Sequence, residues 1–291
     1  MTPGLPPEDW PLRAASRIVA SAPHRWHVQI EGTGPDMLLL HGAGASAHSW
    51  HRLMPRLDER FRLIAPDLPG HGWTRSPRGR SGLPQVARDI AALMTEIGAS
   101  PRVIVGHSAG GAIALEIARQ GLMELDRIVV INGALEDFKG PAGVLFPIMA
   151  RVLAVNPFTG LFLSRGGSTA QVRSLIGATG TDLDEAALSH YARLIARREH
   201  VDGTLAMMAQ WSLRELNASL PGISVPTLFL HGDRDQAVRI DVAERAAAAM
   251  PDARLVTLKG IGHLAQEEAP DLVADEILRF TAPAASAAAA E

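Results

Sequence analysis

Arg102–Gly111, RVIVGHSAGG, decides how the rest of the chain is read. Its apolar run Val103–Val105 has the look of a strand buried on both faces. The run leads into Gly106-His107-Ser108-Ala109-Gly110, and a segment of helical periodicity follows over Ala109–Gln120. A G-x-S-x-G turn between a buried strand and a helix is a nucleophile elbow. Ser108 must sit on a strained turn for its hydroxyl to project above the sheet edge. Gly106 and Gly110 lack side chains that would collide where that turn brings strand and helix together.

Working outward, similar short apolar runs recur at Met37–Leu40, Phe61–Ala65, Ile128–Ile131, Thr227–Leu230 and Leu255–Leu258, and Trp26–Ile30 alternates as a strand does. Between most of them lie helix-like segments, at Ala47–Leu57, Leu83–Ile97, Asp241–Met250 and Leu264–Phe280. Strands alternating with helices predict an α/β fold, a mostly parallel sheet covered by helices on both faces. The alternation breaks once. Between Ile131 and Thr227 only helical stretches occur, with the best helix composition at Leu183–Arg197 and Val201–Leu216. The expected division is an irregular N-terminal arm over 1–23, a core of 24–133 and 222–281, a helical cap over 134–221 inserted after the sixth strand, and a disordered tail over 282–291.

A serine hydroxyl is a weak nucleophile until a base takes its proton. The order nucleophile, acid, histidine directs the search downstream. Thr227–Leu230 is followed by His231-Gly232-Asp233-Arg234-Asp235, and Leu255–Leu258 by Lys259-Gly260-Ile261-Gly262-His263. Both loops follow the carboxyl ends of strands, where active-site loops of open α/β sheets gather. His263 is the expected general base toward Ser108, and Asp235 the residue that holds its imidazole tautomer. Asp233 competes for the acid's place but also suits a turn-capping role. Glu136 and Asp137, after the preceding strand, are the fallback. The oxyanion hole needs two backbone N–H groups. Ala109, next after the nucleophile, supplies one, and Ala43 in the loop His41-Gly42-Ala43-Gly44 the other. Gly42 and His107 are expected beside the substrate. Phe138, Phe146, Phe158 and Trp211 are weaker pocket candidates, each equally readable as cap core.

Composition narrows the chemistry. The 291 residues carry 28 basic and 31 acidic side chains, no Cys, 47% apolar residues and a net charge of −3. Without Cys there is no disulfide, zinc–thiolate site or thiol nucleophile. The slightly acidic balance argues against a nucleic-acid partner. Lys139 and Lys259, the only lysines, are each followed by Gly, so no GxxxxGK[ST] phosphate loop exists. Gly42–Ala47, GAGASA, does satisfy a dinucleotide fingerprint, with Asp67 placed as a ribose acid. That reading leaves the elbow and both downstream loops unexplained. His48 and His51 are one helical turn apart, but no third metal ligand follows. No metal or cofactor is therefore expected. The beginning, MTPGLPPEDWP, lacks the pattern of a signal peptide, which points to the cytoplasm. Val144–Leu163 is apolar but interrupted by Arg151, Asn156, Pro147 and Pro157. It reads as buried cap helices or, alternatively, as a cap surface that meets a membrane or an apolar substrate.

Taken together, LLLHGAG, APDLPGHGWT, GHSAGG, LHGDRD and GIGHLAQEEAP resemble the α/β-hydrolase superfamily, in family order over about residues 30–281. The aspartate nucleophile of its haloalkane dehalogenases and epoxide hydrolases is absent, since the elbow carries Ser108. The resemblance implies acyl transfer, most simply ester hydrolysis. A narrower similarity lies outside these motifs. Pro7–Pro35, Thr179–Leu194 and His200–Leu216 look like the magnesium-chelatase accessory proteins of bacteriochlorophyll biosynthesis. That resemblance implies the magnesium-insertion stage, a chelatase subunit as partner and a small apolar or porphyrin-like substrate. It leaves a non-catalytic accessory role open beside the hydrolase one.

Overall fold

The computed structural model describes residues 4–136 and 169–282. Eight strands form one sheet: β1 Ser16–Ser21, β2 His24–Glu31, β3 Asp36–Leu40, β4 Arg62–Pro66, β5 Val103–His107, β6 Arg127–Ile131, β7 Thr227–Gly232 and β8 Ala253–Leu258. Their order is β1-β2-β4-β3-β5-β6-β7-β8. β2 runs antiparallel to β1 and β4, and every other pairing is parallel.

Period-2 alternation divides the apolar strand residues between the two faces. Leu38, Leu40, Ile104, Ile128, Val130 and Phe229 join the core beneath α1 Leu83–Ile97, α2 Ala109–Arg119 and α7 Ile240–Ala249. Their neighbours Met37, Leu39, Val105, Val129, Ile131 and Leu230 pack with Trp50, Leu53 and the helix α9 Pro270–Thr281. Each fully buried aliphatic side chain contributes about 1.5–3 kcal/mol. The central strands are therefore apolar on both sides because both sides are covered.

Three expectations outside the segment between β6 and β7 need correction. The arm over 1–23 is not irregular throughout, because Ser16–Ser21 is an edge strand in register with His24–Gln29. Its end residues Ser16 and Ser21 are polar yet buried, which hides its alternation. Ala47–Leu57 forms two 3-10 turns, Ala47–Trp50 and Met54–Arg56, rather than one helix. Pro55 lacks an N–H and disfavours a helical residue before it. Leu264–Phe280 breaks at Pro270 into α8 Ala265–Glu268 and α9, for the same reason.

Between β6 and β7 the described helices are α3 Thr169–Gly177, α4 Glu185–Ile195, α5 Arg198–Gln210 and α6 Arg214–Ser219. The helix expected over Val201–Leu216 is split at Trp211, whose backbone is extended (φ −77°, ψ 130°). Val172, Leu183, Ala187, Leu188 and Tyr191 form a small core with Ala45 and Leu264, which lie in loops at the carboxyl edge of the sheet.

Candidate active site

Ser108 joins β5 to α2 with φ 51° and ψ −114°, a strained conformation for a residue with a side chain. Its backbone is fixed on both sides. Ser108 N–H donates to Ile131 O at 2.9 Å, and Ala134 N–H donates to Ser108 O at 3.1 Å. The glycines permit the crossing. A Cβ on Gly106 would lie 2.3 Å from Gly110 O, and one on Gly110 would lie 1.9 Å from Leu40 O. The elbow therefore presses α2 against the end of β3, and the β3 loop lies next to the serine. A Cβ on Gly42 in that loop would lie 3.0 Å from Ser108 Cβ.

Asp235 and His263 are brought together. His263 Nδ1 lies 2.8 Å from Asp235 Oδ2, with the carboxylate fully buried and the imidazole 11% exposed. Asp235 accepts three more hydrogen bonds: Asn132 Nδ2 at 2.7 Å on Oδ2, and Ala237 and Val238 N–H at 2.8 and 2.9 Å on Oδ1. Burial works to raise its pKa. The bond and charge of His263, with the Val238 and Asn132 bonds, outweigh burial and hold the carboxyl below the usual range. Asp233 does cap a turn, accepting Gly260 N–H at 2.7 Å. Glu136 pairs outward with Arg245 at 3.0 Å.

His107 bridges the serine and histidine loops. Its Nε2–H donates to His263 O at 2.9 Å, and the two rings stand 4.8 Å apart. Burial and the nearby His263 push its pKa down to about 3, so it is neutral near pH 7. The residue is 2% exposed. The Ser108 hydroxyl makes no hydrogen bond among the described residues. Nor do the backbone N–H groups of Ala43 and Ala109, the two expected oxyanion donors, bond to any described residue.

Residues 35–270 match the family model for the alpha/beta hydrolase fold. The chain belongs to the α/β-hydrolase fold family. It is 44% identical to the magnesium-chelatase 30 kDa subunit of Rhodobacter capsulatus, over 96% of this chain and 98% of that one. It is 30% identical to haloalkane dehalogenase 2 of Mycobacterium tuberculosis, over 90% and 93%. The bromoperoxidase structure from Bacillus anthracis superposes with a TM-score of 0.77 at 19% identity, covering 91% of this chain and 99% of that one. At that identity the likeness concerns the fold alone.

Within this α/β-hydrolase fold, Asp67 is not available to a ribose. It is fully buried and accepts from His27 Nδ1 at 2.8 Å, Ala47 N–H at 2.7 Å and Trp73 N–H at 2.8 Å. The acid therefore ties the loop after β3 to the one after β4. His48 and His51 belong to no metal-sized group of ligands among the described residues. Trp211 is half-buried and packs against the larger core cluster. Phe138, Phe146 and Phe158, with the whole of Val144–Leu163, lie outside the described residues. No helix among the described residues is long and apolar enough to cross a membrane.

The sequence reading missed Asn132. Directly after β6, with φ 46°, it donates to Asp235 and, at 3.4 Å, to Gly262 O. Its signal was an Asn ending a buried strand, since Asn tolerates the left-handed region better than most residues. Gly180 and Thr181 were also missed. Thr181 Oγ1 accepts Leu264 N–H at 3.0 Å, and a Cβ on Gly262 would lie 2.4 Å from Gly180 O. The segment before α4 thus crosses the histidine loop directly, a long-range contact that no local pattern encodes.

Proposed function

We propose that the chain is a serine hydrolase acting on an ester-type substrate, in or alongside bacteriochlorophyll biosynthesis at the magnesium-insertion stage. The observation that carries the chemistry is the buried Asp235–His263 pair at 2.8 Å, at the carboxyl edge of the sheet that also carries a strained Ser108. With Nδ1–H held by Asp235, His263 Nε2 is the basic nitrogen and takes the Ser108 proton as Oγ attacks the carbonyl carbon. Ala43 and Ala109 N–H receive the charge that develops on the carbonyl oxygen. His263 then protonates the leaving alcohol. Water, deprotonated by the same nitrogen, releases the acid and restores Ser108. We read 134–221 as the cap over this site and Trp211 as part of its apolar wall, which suits a small apolar or porphyrin-like substrate. The reading involves no metal or cofactor and places the protein in the cytoplasm.

A fluorophosphonate probe tests the reading. Wild type should be labelled and Ser108→Ala should not. Folded wild type that resists labelling refutes it.

The extent of the likeness to a protein named as a chelatase subunit, 98% of that chain at 44% identity, supports a second reading. Here the fold binds a porphyrin intermediate or a chelatase subunit without catalysis. Ser108→Ala would then sustain pigment synthesis in cells lacking the native gene. Loss of synthesis with folded Ser108→Ala rules the binding-only role out.

A further inference from the structure

We propose that His200, on α5, is a positioning residue for the oxyanion hole, holding from outside the α/β core the loop that presents the Ala43 N–H. The inference rests on the serine-hydrolase reading and deepens it. His200 is 2% exposed and lies between two loops. Its Nδ1 accepts Gly72 N–H at 3.0 Å, which fixes the proton on Nε2. Nε2–H then donates to Gly44 O at 3.2 Å.

Gly44 O and Ala45 N–H share one peptide plane, and in a trans peptide they point in opposite directions. Ala45 N–H donates to Gly42 O at 3.2 Å, and His41 Nδ1–H donates to the same oxygen at 2.8 Å. Gly42 O in turn shares its peptide plane with Ala43 N–H. With the Gly42 carbonyl held by two donors, the Ala43 N–H lies on the other side of that peptide, where nothing described binds it. His200 therefore sets the first plane of a two-peptide relay whose last member is the proposed oxyanion donor.

The approach of α5 to these loops is itself built in. A Cβ on Gly203, one turn along α5, would lie 2.1 Å from Gly70 O, and Thr204 Cγ2 lies 3.8 Å from the position of a Gly44 Cβ. Burial, the largest influence, and the nearby His41 bring the His200 pKa down to about 4. The ring is thus neutral near pH 7, with one nitrogen to accept and one to donate.

The experiment uses full-length protein and two variants. His200→Asn keeps an acceptor for Gly72 N–H but cannot reach Gly44 O, whereas the longer amide of His200→Gln can. The second-order rate of fluorophosphonate labelling and the kcat and KM of a p-nitrophenyl ester are measured, with hydrogen–deuterium exchange at the Ala45 amide. We expect His200→Asn to lower the labelling rate and kcat on the order of 10–100-fold, as small misplacements of a catalytic group do, with KM nearly unchanged. Ala45 exchange should rise in His200→Asn, and His200→Gln should recover most of each loss. A labelling rate and Ala45 exchange within twofold of wild type in His200→Asn overturn the assignment, as do equal losses in both variants. Wild type that is never labelled refutes the hydrolase reading and the oxyanion role with it. Labelled wild type with a fully active His200→Asn refutes the role of His200 alone.

Discussion

Replacing Asp235 by Asn separates what this carboxylate does for stability from what it does for catalysis. Asp235 receives four donors and offers only acceptors. An Asn side chain has one oxygen and one NH2, so it cannot satisfy all four. Two backbone N–H groups on Oδ1 fix the oxygen on that side, because backbone donors cannot turn into acceptors. The new NH2 then occupies the Oδ2 position, facing Asn132 Nδ2 and His263 Nδ1. Asn132 can flip, since its Oδ1 has no partner among the described residues. His263 can relieve the clash only by moving its proton from Nδ1 to Nε2. That tautomer offers Ser108 a donor where catalysis needs an acceptor. Replacing charged by neutral acceptors on the two backbone donors costs about 2 kcal/mol of stability. The wrong tautomer costs about 10⁴ in rate, as in the serine-protease triad from which that figure comes. That is about 5 kcal/mol of transition-state stabilisation. Thermal unfolding and the fluorophosphonate labelling rate measure the two effects on the same preparation. Asp235→Ala is the contrast, because it orphans all four donors at about 1–3 kcal/mol each and should be much less stable. A folded Asp235→Asn labelled within tenfold of wild type would refute the tautomer argument.

Other outcomes follow from burial and close contact. Burial lowers the pKa of His41, His48, His71 and His200 below the ordinary 6.5. The unfolded chain therefore binds more protons below that value, so their contribution is complete above it and lost as pH falls through the folded values. Denaturant unfolding should show stability falling from pH 7 to 5 by more than about 1.4 kcal/mol per pH unit; a flat profile contradicts this. Glu267 acts oppositely: burial raises its pKa from the ordinary 4.5 to about 8, against the Tyr191 hydrogen bond and the charge of Arg52. Its stabilising contribution is complete below 4.5 and declines as pH rises toward 8. Glu267→Gln should therefore make the slope of stability against pH more positive by about 1 kcal/mol per unit between pH 6 and 8, and an unchanged slope would exclude that carboxyl as a contributor. Gly110→Ala sets a methyl 1.9 Å from Leu40 O and should lose at least about 2 kcal/mol in chemical denaturation, with Tm unchanged as the contrary result.

The core was legible because it is local. Val103–Val105, Ile128–Ile131 and Leu228–Leu230 are apolar at consecutive positions, and only a strand covered on both faces accepts that pattern. Ser108 and Asp235 could be placed because each follows such a strand, and His263 because it follows the partly buried edge strand Ala253–Leu258. The edge strand Ser16–Ser21 was missed because the buried residues at its two ends are serines. Its place is set by pairing with His24–Gln29 rather than by its own pattern. Pro55 and Pro270 were visible signals given too little weight against hydrophobic periodicity. Asn132 and Thr181 had no local signal strong enough, since their partners lie 103 and 83 residues away in the chain.

These long-range partners suggest why an intact elbow is an incomplete description of the site. Strand ends position Ser108, Asp235 and His263, yet the loops that carry Ala43 and His263 are held in part by the segment between β6 and β7. Thr181 binds the peptide next to His263, and His200 binds the carbonyl of Gly44, the residue after Ala43. Two separate attachments at opposite loops mean that a shift of the whole segment would disturb the His263 and Ala43 loops together. A shift of one helix would disturb only one of them. Sequence change in this segment can therefore alter the chemistry without touching Ser108, Asp235 or His263. Relatives with the same core motifs but a different segment need not share a substrate or a rate, and the core motifs alone are a poor guide to either.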